Sequence, residues 1–197
     1  QSSPDVEQLV RSDFASVLAE AVDRVAIKGG GTNEPNGILS TPGIGSVAMG
    51  ANGGPITWDA VMDLIGKVED ANGQGAAFVT NTKVRTSARK TLKVSGDAAG
   101  GFIWGDSPNS LAGYTAAVSN LVPANLTKGT GTGLSPLIFG NFSDLILGYW
   151  SEFDLLVNPF MESAYKKGNV SVRGMLTMDI TVRHAESFAA ITDLGTA

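Results

Sequence analysis

Apolar positions in the first thirty residues recur at helical spacing. Val6, Leu9, Val10, Phe14, Val17, Leu18, Ala21, Val22 and Val25 fall at three- and four-residue steps, which predicts one amphipathic helix over residues 5–27. Ser3 can cap it, Pro4 suits the first helical position, and Asp5 and Glu7 sit at its positive end. Lys28 lies at the far end, and Gly29-Gly30-Gly31 stops the helix. Such a helix is about 34 Å long, as long as a small domain is wide, so it needs partners along an elongated molecule.

Residues 32–56 read as loop, with Ile38 and Leu39 as apolar anchors. A second helix starts at the cap residue Thr57. Ile56 and Val61 have hydrophobic-staple spacing, Val61, Leu64, Ile65 and Val68 form the stripe, and Asn72-Gly73 ends it. Ala76 to Val79 is a short buried-strand candidate and Lys83–Leu92 a short helix. Residues 102–104 and 114–119 are strand-like pieces, and residues 137–142 lead into a strand around Leu145–Trp150. The clearest strand pattern covers residues 170–182. Val170, Val172, Gly174, Leu176, Met178, Ile180 and Val182 alternate with a mostly polar set, blurred only at Gly174 and Met175. Thirteen residues would extend roughly 43 Å, with a bend expected at Gly174. The expected class is α+β, with one long helix and one long strand.

Composition adds three constraints. Glycine supplies 25 of 197 residues without a three-residue period, clustered at 29–31, 43–54, 96–105 and 129–133, which read as loops. Lys plus Arg is 14 and Asp plus Glu is 19, a net charge of -5 that argues against a surface devoted wholly to nucleic acid. Cysteine is absent, which excludes disulfides, thiolate metal sites and cysteine nucleophiles. No apolar run reaches the length of a membrane span. QSSPDVEQLV lacks the pattern of a secretory leader, and a start at Gln1 suggests a processed, trimmed or partial chain. A compact fold of this mass would expose roughly 9,000 Å².

Candidate chemistry is sparse. His184 is the only histidine, too few donors for a zinc site, and is expected to be structural or solvated. Glu152 with Asp154 and Glu69 with Asp70 are near neighbours in sequence, which normally point apart. Gly29-Gly30-Gly31-Thr32 follows a helix and lacks the lysine of a phosphate loop, and Gly43-Ile44-Gly45 fails on similar grounds. Lys83, Arg85, Arg89, Lys90 and Lys93 form the densest basic run, read as a solvated helix face, a subunit contact or an incidental phosphate contact. No aromatic ladder accompanies it, so sequence-specific reading of nucleic acid is not expected. Trp58, Trp104 and Trp150 are assigned to core or subunit interface. No catalytic, cofactor-binding or metal-binding residue is assigned, and no enzymatic activity is expected.

Several segments, in order, resemble one family. Gly30, Gly31, Thr32, Pro35, Gly37, Ile38 and Leu39 match a glycine-rich loop that follows a spine helix. ITWDAVMDLIGKV, then Phe78, Val79, Asn81, Leu92, Lys93 and Gly96, match a helix, strand and turn, though the usual proline after the asparagine is absent. VSNLVPANL (118–126), LIFGNFSDLILGYWSEFDLLVNPF (137–160, with Asn141 for the usual aspartate) and VRHAESFAAIT (182–192) complete the series. These segments resemble the major capsid proteins of tailed bacteriophages with the HK97-type fold, and a prophage-encoded copy is one origin the resemblance allows.

The resemblance implies a structural protein whose pentamers and hexamers tile an icosahedral shell around packaged double-stranded DNA, gripped without sequence specificity. The -5 charge is compatible with that role, since a shell lining need not bind DNA tightly. The resemblance implies a peripheral domain of residues 1–39 and 169–197, with spine helix and long strand side by side, and a mostly axial domain of residues 40–168. Loops 96–105 and 129–133 become candidates for the ring centre. The implied location is the virion, with host cytoplasm during assembly. Further implied partners are scaffold, portal and decoration proteins; no membrane is involved. The N-terminal arm and E-loop that family members carry before the spine helix are not in these residues, so this chain alone is expected to be mainly monomeric. Two alternatives stand beside this reading: an encapsulin-like nanocompartment subunit, and a small-ligand or carbohydrate-binding module presenting Trp104 or Trp150.

Overall fold

The computed structural model describes residues 4–73, 76–151 and 153–196. In chain order the elements are α1 (Pro4–Lys28), β1 (Gly45–Ser46), α2 (Trp58–Asp70), β2 (Ala77–Thr80), α3 (Thr82–Lys90), β3 (Leu92–Val94), β4 (Asp97–Phe102), β5 (Ser110–Leu111) and β6 (Tyr114–Val118). There follow β7 (Leu126–Lys128), β8 (Gly131–Gly140), β9 (Leu145–Tyr149), β10 (Asp154–Asn158), α4 (Glu162–Tyr165), β11 (Ser171–Met175), β12 (Met178–Val182) and β13 (Phe188–Leu194). The expected cap Ser3 lies outside the described residues, as do Glu152 and the side chains of Asp5, Val6 and Glu7.

Seven strands form one mixed sheet in the order β1-β13-β8-β2-β6-β5, with β7 pairing the first part of β8. Period-two alternation sends side chains from the same strands to opposite faces. Phe78, Leu137, Phe139, Ala189 and Ile191 enter one core, closed by Val61, Leu64, Ile65 and Val68 of α2 and by Val84 and Ala88 of α3. Ile138, Phe188 and Ala190 enter the other, closed by Ile38 with Ile27, Leu39, Ile44, Phe142, Leu145 and Val182. Phe78, Tyr114 and Phe139 stack in the first core, with the Phe78 and Phe139 rings 4.4 Å apart. The anchor Ile38 is buried, in a single 3-10 turn at Ile38–Ser40.

Local signals set the helix ends. Thr57 Oγ1 accepts from the Ala60 N–H at 3.3 Å, and Ile56 and Val61 are both buried beside it. Asn72 turns left-handed (φ 58°), and the Gly73 N–H donates to the Val68 carbonyl at 2.9 Å. Asn81 caps α3, its Oδ1 accepting from the Val84 N–H at 3.0 Å while its Nδ2 donates to the Pro123 carbonyl at 3.0 Å. After α1 the chain doubles back so tightly that a Cβ on Gly37 would strike the Gly29 nitrogen, and lie 2.6 Å from the Lys28 nitrogen. The matched loop therefore needs glycine for close approach.

Several expectations are corrected. The strand over 170–182 is two strands, β11 and β12, which end and resume on either side of Leu176-Thr177 rather than at Gly174. The cause is a change of partner: β12 pairs β9 (Met178 opposite Tyr149), whereas β11 pairs β10 (Met175 opposite Asp154). Where the two ladders part, the Trp150 N–H donates to the Thr177 carbonyl at 2.9 Å. Gly174 serves close packing instead, since a Cβ there would lie 3.0 Å from the rings of both Phe14 and Phe153. The even face of residues 172–182 is half-buried except for fully buried Ile180, and the odd face is mostly exposed. Along α1, Leu9 and Val17 are exposed, so the predicted stripe is only partly covered. Glycine stretches 96–105 and 129–133 are hairpins in large part, β3–β4 and β7–β8, and β1 lies inside 43–54. Residues 102–104 do not form one strand: β4 ends at exposed Phe102, and Ile103 and Trp104 turn into the core.

Two substitutions test this account by urea unfolding. Phe139→Ala is expected to cost about 3–5 kcal/mol, because it empties the centre of the first core. Asn81→Asp keeps the cap acceptor but loses the donor to Pro123, so it is expected to cost less than Asn81→Ala, itself about 1–2 kcal/mol.

Candidate assembly surface

Strands β9 to β12 form a double-length antiparallel arm outside the large sheet. Its start is anchored by Leu145 and Val182, which pack on the second core. On one side it faces α1. Ala15, Leu18, Ala19 and Val22 look across an apolar groove of about 290 Å³ at Leu147, Tyr149, Phe153 and Leu176. Elsewhere the arm carries large apolar side chains into solvent. Trp150 is 76% exposed and Phe160 82%, accompanied by Ile146, Leu156, Val157, Met161, Tyr165, Val170 and Met175. Most exposed large apolar residues among those described lie in this one segment. A soluble monomer rarely concentrates apolar surface so strongly; such patches mark association sites. The accessible surface of 11622 Å² exceeds the roughly 9,000 Å² of a compact chain of this mass, the excess an arm produces.

Sequence reasoning misses this segment as a site. Its signal is nonetheless present in FDLLVNPFM, residues 153–161, which has more apolar residues than a strand with one covered face requires.

The basic run sits on α3. Val84 and Ala88 point into the core, while Lys83, Arg89 and Lys90 are exposed and Arg85 half-exposed. Lys83, Thr86, Ser87 and Lys90 line a groove of about 400 Å³ with Pro55, Thr91 and Thr196. Lys93 lies with its Nζ 4.6 Å above the Trp58 ring. The sequence thus brings these cations to one helix and its flank.

The remaining candidates are placed elsewhere. His184 is exposed, at the entry to a short 3-10 turn. Asp154 is exposed on β10. Glu69 accepts from the Tyr114 hydroxyl at 2.9 Å, and this bond, with some burial, holds the phenol pKa above its ordinary value. The Gly30 N–H is taken by Glu34 Oε1 at 2.7 Å, so the glycine triplet binds its own carboxylate rather than presenting a nest to phosphate. Ile44 packs on the second core and Gly45 lies in β1. Trp104 is buried, its Nε1 donating to the Ser107 carbonyl at 3.1 Å, so it offers no platform. Asp193 is fully buried yet accepts from the Met49 N–H and from Lys128 Nζ, at 3.0 and 2.6 Å, fastening loop 49–54 and β7 to β13. Among the described residues no cluster of three His, Asp or Glu could hold a metal, and no helix is long and apolar enough to cross a membrane.

The sequence profile of the phage capsid family matches residues 1–193. The chain belongs to that family. The fold agrees. The capsid of an empty GTA particle superposes with a TM-score of 0.76 at 24% identity, covering 99% of this chain and 69% of that one. A protein of Microbacterium phage Oxtober96 gives 0.68 at 17% identity, with 98% and 67% covered. The holo-SrpI encapsulin complex of Synechococcus elongatus PCC 7942 gives 0.65 at 13% identity, with 100% and 69% covered. At these identities the likenesses establish the fold alone. No curated protein matches the sequence. The chain is thus an α+β, shell-forming structural protein of the HK97-fold capsid family.

The exposed apolar arm is a candidate assembly surface, whose role substitutions that leave folding unchanged can test. Trp150→Ser and Phe160→Ser are expected to shift unfolding free energy by no more than about 0.5 kcal/mol, because neither side chain is buried in the subunit. In the complete gene product, the same pair is expected to abolish self-association measured by sedimentation velocity.

Proposed function

We propose that this protein is the major head subunit of a tailed phage or prophage, forming pentamers and hexamers that close an icosahedral shell around double-stranded DNA. The reading rests above all on the apolar arm, exposed in a subunit whose family builds shells. In this reading α1 is the spine of a peripheral part, residues 1–39 and 169–197, and residues 40–168 are mostly axial. Strand β13 belongs to the first by position but pairs β8 and β1, so in this reading the two parts share one sheet. A flat, elongated subunit covers more shell area per residue, and heterologous contacts close rings and shells when the geometry allows. The hairpin turns at Gly96 and Gly129 are the proposed ring-centre contacts. Scaffold, portal and decoration proteins would be the further partners, with assembly in host cytoplasm and residence in the virion. The phage reading is preferred to the nanocompartment reading because the family profile spans nearly the whole chain.

Electron microscopy of particles purified after expression of the complete gene product tests this. Closed shells with five-fold vertices are expected, and Trp150→Ser with Phe160→Ser should leave only small species. Wild-type protein that stays monomeric at every concentration and ionic strength would refute the proposal.

A further inference from the structure

Residues 82–94 hold five of the chain's 14 Lys and Arg and none of its 19 Asp and Glu. Outside this stretch the chain is therefore markedly acidic, and the run is a local reversal of sign. The fold keeps it concentrated. Val84 and Ala88 fix one face of α3 in the core, so Lys83, Arg85, Arg89 and Lys90 are held on the outer faces of one capped helix, with Lys93 on β3 beside it. Lys83 and Lys90 are two turns apart, about 10 Å, along the groove with Thr86, Ser87, Thr91 and Thr196. From Pro55, Lys90 and Thr91 a second groove continues past Thr57, Asp59 and Lys93. Among the described residues none of these five cations forms an ion pair.

We infer that the outer face of α3 is a docking surface for the phosphate backbone of duplex nucleic acid, and hence faces the interior of the shell. The inference rests on the shell reading for its cargo. Three features favour this partner. Lysine is depleted and apolar groups are needed at the centre of protein interfaces, yet the exposed side chains of α3 are lysine, arginine and threonine. Interfaces with nucleic acid are instead polar and strongly positive, with hydroxyls bonding phosphate. A single strand would need free aromatic faces for its bases, whereas the Trp58 ring nearby is covered by Lys93. No element here enters a groove to read bases, so binding is expected to ignore sequence.

The test is fluorescence anisotropy with two unrelated 30-base-pair DNA duplexes across a salt series. Equal affinity for both is expected, falling steeply with salt. The triple variant Lys83→Gln, Arg89→Gln, Lys90→Gln should weaken binding at least about tenfold and flatten the logarithmic salt slope by about 0.9 for each phosphate left unneutralised. Lys83→Arg with Lys90→Arg should retain binding. All three glutamine sites are exposed, so an unchanged melting curve is the folding control. Absence of binding by wild type, or equal binding by the triple variant, would overturn the inference. Tighter binding to polyglutamate than to duplex would also overturn it, in favour of an acidic protein segment. Particle formation is scored separately by light scattering, so failure of the shell reading and failure of the α3 assignment are told apart.

Discussion

Strand β8 is the member on which the rest depends. From Leu134 to Gly140 every residue is buried, so this stretch has no solvent side. Ile138 reaches one core while Leu137 and Phe139 reach the other, and the backbone between them pairs β13 on one edge and β2 on the other. The helices on one face and the returning loop of residues 38–44 on the opposite face thus share a single wall. Pro136, which has no N–H, falls between the part of β8 paired with β7 and the part paired with β2, where a ladder bond is not required. Gly140 completes the strand because a Cβ there would strike the Phe188 ring.

Around that wall, polar groups position the connections rather than perform chemistry. Asn81 binds the end of β2 to α3 and to the loop at Pro123. Asp193 gathers loop 49–54 and β7 onto the last strand. Each is buried and has at least one hydrogen bond to a distant segment, so each specifies an arrangement of loops that apolar packing alone would leave loose. The core therefore ends in a rigid body from which the arm projects.

The arm follows different physics. Its ladders satisfy the backbone, but much of its side-chain surface is apolar and exposed. Apolar surface exposed on that scale is costly in water and is of the kind that marks association sites. The basic face of α3 is the complementary case, a surface whose composition suits a charged polymer rather than another subunit.

Elements whose signals are local can be read directly from the amino-acid order. The caps at Thr57 and Asn81, the stripe of α2, the helical repeat of α1 and the alternation in residues 172–182 depend on neighbours three or two residues away. The glycine-rich loop after α1 is legible for the same reason, and with the other segments it identifies the family. Three matters depend instead on long-range packing. Residues 131–140 become the longest strand, hidden in the sequence because burial on both faces erases alternation and because Gly131, Gly133 and Pro136 read as breakers. The long strand divides at Leu176-Thr177, since its two halves pair with different distant strands, β10 and β9. Trp150 and Phe160 stay in solvent while Trp104 turns inside, because burial depends on which segments cover a side chain, and only the assembled fold settles that.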